Sequence, residues 1–175
     1  VGYLPNAETV EPDTKLGLDD MFELVRKADE DYRTLQEKKE KLKQKIEEYR
    51  AKQQIVAPFR PLECDLHRVL HYRYITYRFG RIAVEFYHKM QKYLMDDLKA
   101  IFVEGERDES YVYGVYFVSQ AETQKVDAVF RSLHFERIEL KDEFEGTPDT
   151  AYRVLENEIA RVNLEIEDLD KQAGE

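Results

Sequence analysis

Apolar residues recur with alternating three- and four-residue spacing in two stretches of the chain. The first runs Leu18, Met21, Val25, Ala28, Tyr32, Leu35, Lys39, Leu42, Ile46, Tyr49, Gln53 and Val56. The second runs Tyr152, Leu155, Ile159, Val162, Ile166, Leu169 and Ala173. This spacing turns one helical seam toward a partner helix, so both stretches predict coiled-coil helices. The second follows only after about ninety intervening residues, and the simplest closure is an antiparallel two-helix coiled coil with a globular lobe at its tip.

Boundaries follow from the residues that start and stop helices. The first helix is expected over 17–57, after an irregular N-terminal segment 1–16, and it ends at Pro58 and Pro61. Its length corresponds to about 60 Å of rod. The second is expected over 147–175, where Thr147 serves as N-cap, Pro148 opens the first turn and Asp149 adds an acid near the positive end of the helix. If Thr147 pairs near Val56, the second helix reaches back only to about residue 29 of the first. Leu18, Met21, Phe22 and Val25 then have no partner within these residues. This favours a longer parent chain continuing beyond Glu175, over cover by residues 1–16 or by a second copy.

Between 58 and 146 the periodicity changes. Leu62–Leu70 predicts a short helix, and Tyr72–Phe79, aromatic and β-branched, predicts a strand closed by Gly80. Val84–Leu98 is expected to be helical with Phe86, Met90, Tyr93 and Leu94 on its buried face. Two strands, Ala100–Glu106 and Ser110–Ser119, follow around the polar turn Arg107-Asp108-Glu109. Ser119-Gln120-Ala121-Glu122 has the form of a capping box opening a second helix that buries Val126, Val129, Phe130 and Leu133. Phe135–Leu140 predicts a fourth strand. The order is βαββαβ, an α+β ferredoxin-like globular lobe with two helices on one sheet face and the other face left for solvent, the stalk base or a partner.

Composition limits what such a chain does. No stretch approaches the ~20 apolar residues of a membrane span. The net charge of −10 is uneven: residues 13–57 carry 11 basic and 11 acidic groups, 58–146 carry 13 and 16, and 147–175 carry 3 and 8. An acidic chain is a poor ligand for a phosphate backbone, and no nucleic-acid partner is expected. The tyrosine-rich strand with Tyr111, Tyr113, Tyr116 and Phe117 lacks the basic-Gly-aromatic opening of an RNA-reading sheet, so it is read as core and interface. A single cysteine, Cys64, fits a reducing compartment. Cys64, His67 and His71 have the spacing of three zinc ligands, but a structural site needs four, and no metal is expected. Phosphate loops, a Ser/His/Asp set and a G-x-S-x-G elbow are absent from the sequence. Neither catalysis nor a cofactor is expected. Arg68, Arg73, Arg78 and Arg81 form the more informative cluster, suited either to carboxylates on a partner or to ion pairs within the lobe.

Several segments of the lobe resemble subunit I of bacterial and archaeal V-type (A-type) ATPases, the counterpart of eukaryotic subunit a. They are Tyr77-Arg78-Phe79-Gly80-Arg81-Ile82, Glu104 to Asp108, Tyr113-Gly114-Val115-Tyr116-Phe117-Val118, the run from Val126 to Ile138, and Glu145-Gly146-Thr147-Pro148. Ala83 stands where that pattern has proline. The resemblance implies the distal part of the N-terminal cytoplasmic domain, on the cytoplasmic face of a membrane whose ion channels lie in a membrane domain outside this chain. It implies a non-catalytic stator element that docks the peripheral stalks, heterodimers of subunits E and G, and resists rotor torque, in a complex coupling ATP hydrolysis or synthesis to proton or sodium transport. The expected docking surface is the open sheet face or the arginine side, with Arg73, Arg78, Arg81, Tyr113 and Tyr116 as partner-binding residues. A small-ligand regulatory module and a homodimeric coiled-coil adaptor are the competing classes.

Overall fold

The computed structural model describes residues 3–141 and 143–174, with side chains described from Gly17 onward. Helix α1 spans Tyr3–Val56. The segment expected to be irregular is therefore helical from Tyr3, and the helix does not begin at residue 17. Pro5 falls in the first turn, where its missing amide has no intrahelical acceptor to lose. Pro12 and Gly17 are carried within the helix despite costs of about 3 and 1 kcal/mol. Among the described residues, no helix is long and apolar enough to cross a membrane.

The chain divides into two compact units, Val1–Ile46 with Val162–Glu175, and Glu47–Arg161. In the first, α1 lies beside the C-terminal part of α5 (Pro148–Gln172). Ile46 and Val162 are buried, and Leu42, Ile166 and Leu169 are half-buried. Lys39, at a seam position, is also buried and forms an ion pair with Asp170. Leu42 and Leu169 line one groove, so the two helices run antiparallel here. Leu18, Met21 and Val25 are exposed, and Phe22 is 70% exposed, as counting the heptads predicts for the stripe without a partner.

The second unit is built on a four-stranded antiparallel sheet. After the tight turn Ala57–Phe59 and α2 (Leu66–Leu70) come β1 (Ile75–Ala83), α3 (Val84–Asp96), β2 (Ala100–Arg107), β3 (Tyr111–Ser119), α4 (Thr123–Ser132) and β4 (Glu136–Arg137). The strands lie in the order β2-β3-β1-β4. Helix and sheet thus combine in an α+β unit. Nine residues of β1 pair with β3, from Ile75 opposite Ser119 to Ala83 opposite Tyr111.

Gly80 does not close β1 but sits inside it, directly opposite Gly114. A Cβ on Gly80 would lie 2.2 Å from the Glu136 carbonyl oxygen and 2.5 Å from the Phe135 ring, and one on Gly114 would lie 2.5 Å from the Phe102 ring. The two glycines make room for aromatic rings. Those rings flank a stack in which Tyr116 and Phe130 lie 3.8 Å apart, with Phe135 edge-on to both at 5.2 and 5.4 Å.

Strand alternation sends residues to two cores. Ile82, Val112, Tyr116 and Val118 meet Met90, Val126, Phe130 and Leu133 of α3 and α4. On the opposite side, Phe79 and Val115 meet Val56, Phe59, Leu62, Leu66, Val69 and Leu155. Of the three expected covers for this face, the stalk base supplies most: the end of α1, the turn after it, α2 and the start of α5 close it over β1 and β3, while Ile101 and Val103 of β2 stay 66% and 40% exposed. Each large apolar side chain so buried is worth about 1.5–3 kcal/mol.

Local departures have local causes. Ser119 makes no side-chain cap bond, so the capping box does not form. A tight turn at Gln120–Glu122 precedes α4 instead, and the Thr123 hydroxyl lies 3.1 Å from the Ser119 carbonyl and 2.9 Å from the Thr76 hydroxyl. On α3, Tyr87 is buried and Tyr93 exposed: the Tyr87 ring lies 6.2 Å from Phe102 in the core with Met90, and its hydroxyl donates to Glu104 at 2.9 Å. The fourth strand shrinks to Glu136–Arg137, continued by one bond from the Ile138 amide to the Phe79 carbonyl, 2.8 Å.

Two glycine substitutions separate packing from helix propensity. Gly80→Ala is expected to destabilise the unit by about 3 kcal/mol through overpacking against β4. A Cβ at Gly17 meets nothing within 4 Å, so Gly17→Ala is expected to stabilise the helix by about 1 kcal/mol. Urea midpoints measured side by side check both signs; equal shifts would contradict the close approach at Gly80.

Candidate functional site

Asp127 is the organising acid of the lobe. It occupies the inward face of α4 next to Val126, and a carboxylate there must be satisfied by neighbours or lose stability. Tyr116 donates its hydroxyl to Oδ1 at 2.5 Å. Arg78 reaches Oδ2 at 3.2 Å, and Arg137 reaches the same oxygen at 3.1 Å. Burial pushes the Asp127 carboxyl up, but the Tyr116 hydroxyl, the Arg78 bond and the two cationic charges outweigh it and hold the group below its ordinary range. Burial, and then the bond to Asp127, push Tyr116 well above the usual phenol value. Both groups are fixed at neutral pH in the states that hydrogen-bond each other.

The expected partner-binding residues do not form one surface. Tyr116 is buried at 1% exposure, so it is core and not interface. Arg78 pairs across to Tyr116 and faces the side of α4, whereas Arg81 pairs across to Tyr113 and faces the other way. Arg81 donates to Glu136 at 2.7 Å and to the Tyr113 hydroxyl at 3.4 Å, and its guanidinium lies 3.8 Å from the centre of the Tyr111 ring. Tyr113 is half-buried, edge-on to Phe59 at 6.3 Å. Arg78 and Arg81 are thus engaged within the lobe. Arg73, before β1, is exposed and has no ion pair among the described residues.

No chemistry gathers at the other candidates. The ring nitrogen Nδ1 of His71 lies 2.7 Å from the His67 carbonyl, a local helical contact. Cys64 is half-buried, and burial raises its thiol pKa, which disfavours the reactive thiolate. Among the described residues, no three His, Cys, Asp or Glu side chains are placed to hold a metal ion. Sequence reasoning does not single out Asp127 or Arg137. The signal is available for Asp127: a carboxylate beside Val126, three residues from Phe130 on an apolar helical face, requires buried partners.

Removal of Asp127 leaves two arginines facing each other without a counter-charge. Asp127→Ala is expected to cost about 3–5 kcal/mol, read from urea unfolding at pH 7. A carboxyl depressed in the folded state contributes stability that is complete above its unfolded pKa of about 4 and is lost as pH falls through the lower folded value. Asp127→Asn is therefore expected to flatten the acid side of the stability profile between about pH 5 and 2 relative to wild type. Parallel acid profiles would contradict this assignment.

No family model and no curated protein matches the sequence. Among solved structures, the fold is similar to one described as the crystal structure of the cytoplasmic N-terminal domain of subunit I, homolog of subunit a, of V-ATPase. The TM-score is 0.50 at 14% identity, over 81% of this chain and 49% of that one. This chain spans about half the length of that neighbour, and the likeness is one of fold.

Proposed function

We propose that this chain is a non-catalytic stator fragment of a rotary V-type or A-type ATPase, the distal lobe of a cytoplasmic arm with its adjoining coiled-coil helices. The observation that carries this reading is the fold likeness to the cytoplasmic N-terminal domain of subunit I, a homolog of subunit a of V-ATPase. The strand order β2-β3-β1-β4 with α3 and α4 against one face supports a ferredoxin-like lobe. A stator element must hold still under rotor torque. A sheet with apolar cores on both faces supports that role, because close-packed interiors deform little.

The proposed partners are the peripheral-stalk subunits E and G and the rest of subunit I with its membrane domain. Since helices cover one sheet face and most of the other, docking uses the arginine side, with Arg73 supplying the exposed charge. Arg78 and Arg81 support it by bracing the strand from opposite faces. Purified E–G heterodimer on a sensor surface tests the reading directly. Wild-type chain is expected to bind, and Arg73→Glu to weaken binding about tenfold. Unchanged affinity in Arg73→Glu would remove the arginine version. Folded wild-type chain that fails to bind, while forming a stable homodimer in solution, would favour a coiled-coil adaptor.

A further inference from the structure

We propose that the cleft between residues 72–79 and 137–140 is a binding site for a carboxylate carried on an apolar body. The cleft encloses about 440 Å³ and is lined by Arg73, Arg78 and Arg137, with Ile75, Ile138 and Glu139 among the other walls. Its size lies in the range of small-ligand sites, about 300–1,000 Å³. Three arginines line this one cleft in a chain whose net charge is −10. Arg78 and Arg137 share one oxygen of Asp127, so one negative charge stands against two positive ones. Arg73 adds a third charge with no ion pair among the described residues, and Glu139 offsets only one.

Arg78 is also short of acceptors. Its Nε is buried and has no hydrogen-bond partner among the described residues. One terminal nitrogen meets Asp127, and the other lies 3.4 Å from the adjacent Tyr77 carbonyl, a marginal contact. A guanidinium carries five donors in a planar fork matched to a carboxylate, and a buried donor without a partner costs about 1–3 kcal/mol. An entering carboxylate balances the surplus charge, with Arg73 and Arg137 as the exposed cations, while Ile75 and Ile138 cover its apolar part. The site stands on this geometry whether or not the chain joins an ATPase.

The carboxylate comes either from a free organic acid or from an acidic side chain of a partner. Two probes separate these sources: glutarate, and a blocked Leu-Glu-Leu-Glu peptide with its Leu-Gln-Leu-Gln counterpart as control. Titrated into the ¹⁵N-labelled chain at constant ionic strength, at least one acidic probe is expected to shift the Arg78 Nε–H resonance saturably, with a Kd of about 1 mM or tighter. The glutamine peptide is expected to leave it unmoved. Response to glutarate alone assigns the site to free acids, and response to the peptide alone assigns it to a partner side chain. Arg73→Glu, an exposed change that spares Asp127, is expected to weaken the binding about tenfold. No saturable shift with either acidic probe, or equal binding by the glutamine peptide or by Arg73→Glu, overturns the proposal.

Discussion

Tyr116 holds the lobe together by doing two things with one side chain. Its ring stacks on Phe130 at 3.8 Å, and its hydroxyl donates to Asp127 at 2.5 Å, so a residue of β3 grips α4 by both dispersion and a charge-assisted bond. The neighbouring structure is arranged to permit this. Gly80 and Gly114 clear the sheet surface for the rings of Phe135 and Phe102, and Asp127 in turn draws Arg78 of β1 and Arg137 of β4 toward the same point. Two strands besides β3 are thereby tied to one helix.

The consequence for function is that neither sheet face is wholly bare. One side carries α3 and α4, and the other carries the end of α1, α2 and the start of α5. What remains outside is edges, loops, the cleft beside β1 and the exposed Ile101 and Val103 of the edge strand β2. Recognition by this lobe must therefore happen at its margins, and its interior is free to be rigid. The assignment of arginines follows the same division: Arg78 and Arg81 are held by the lobe, and Arg73 faces out.

Heptad spacing is sufficient for the two long helices and for the uncovered stripe at Leu18 to Val25, because a seam and its length are one-dimensional properties of a sequence. The order of strands and helices in the lobe is also legible. The start of α1 is not, since the expected start at residue 17 rests on Gly17 as a helix breaker, and propensity is a weak prior in a long helix. Covering of the second sheet face depends on contacts between residues far apart in the chain, such as Phe59 with Phe79 at 5.2 Å, which no local pattern reports. The expected binding set divides between two faces for a different reason. Residues 78 and 81, like 113 and 116, are separated by three positions on a strand, and alternation alone sends the members of each pair to opposite faces. That rule needs only the sequence, and it divides Arg78 and Tyr116 from Arg81 and Tyr113.

A lobe that docks as a rigid body predicts a specific pattern of hydrogen exchange. With saturating E–G heterodimer, amides in residues 72–79 and 137–140 are expected to slow, while those of β3 keep the exchange rates of the free chain. Absence of protection at 72–79 and 137–140, or faster exchange in β3 on binding, would contradict a sealed lobe that recognises its partner at the arginine cleft.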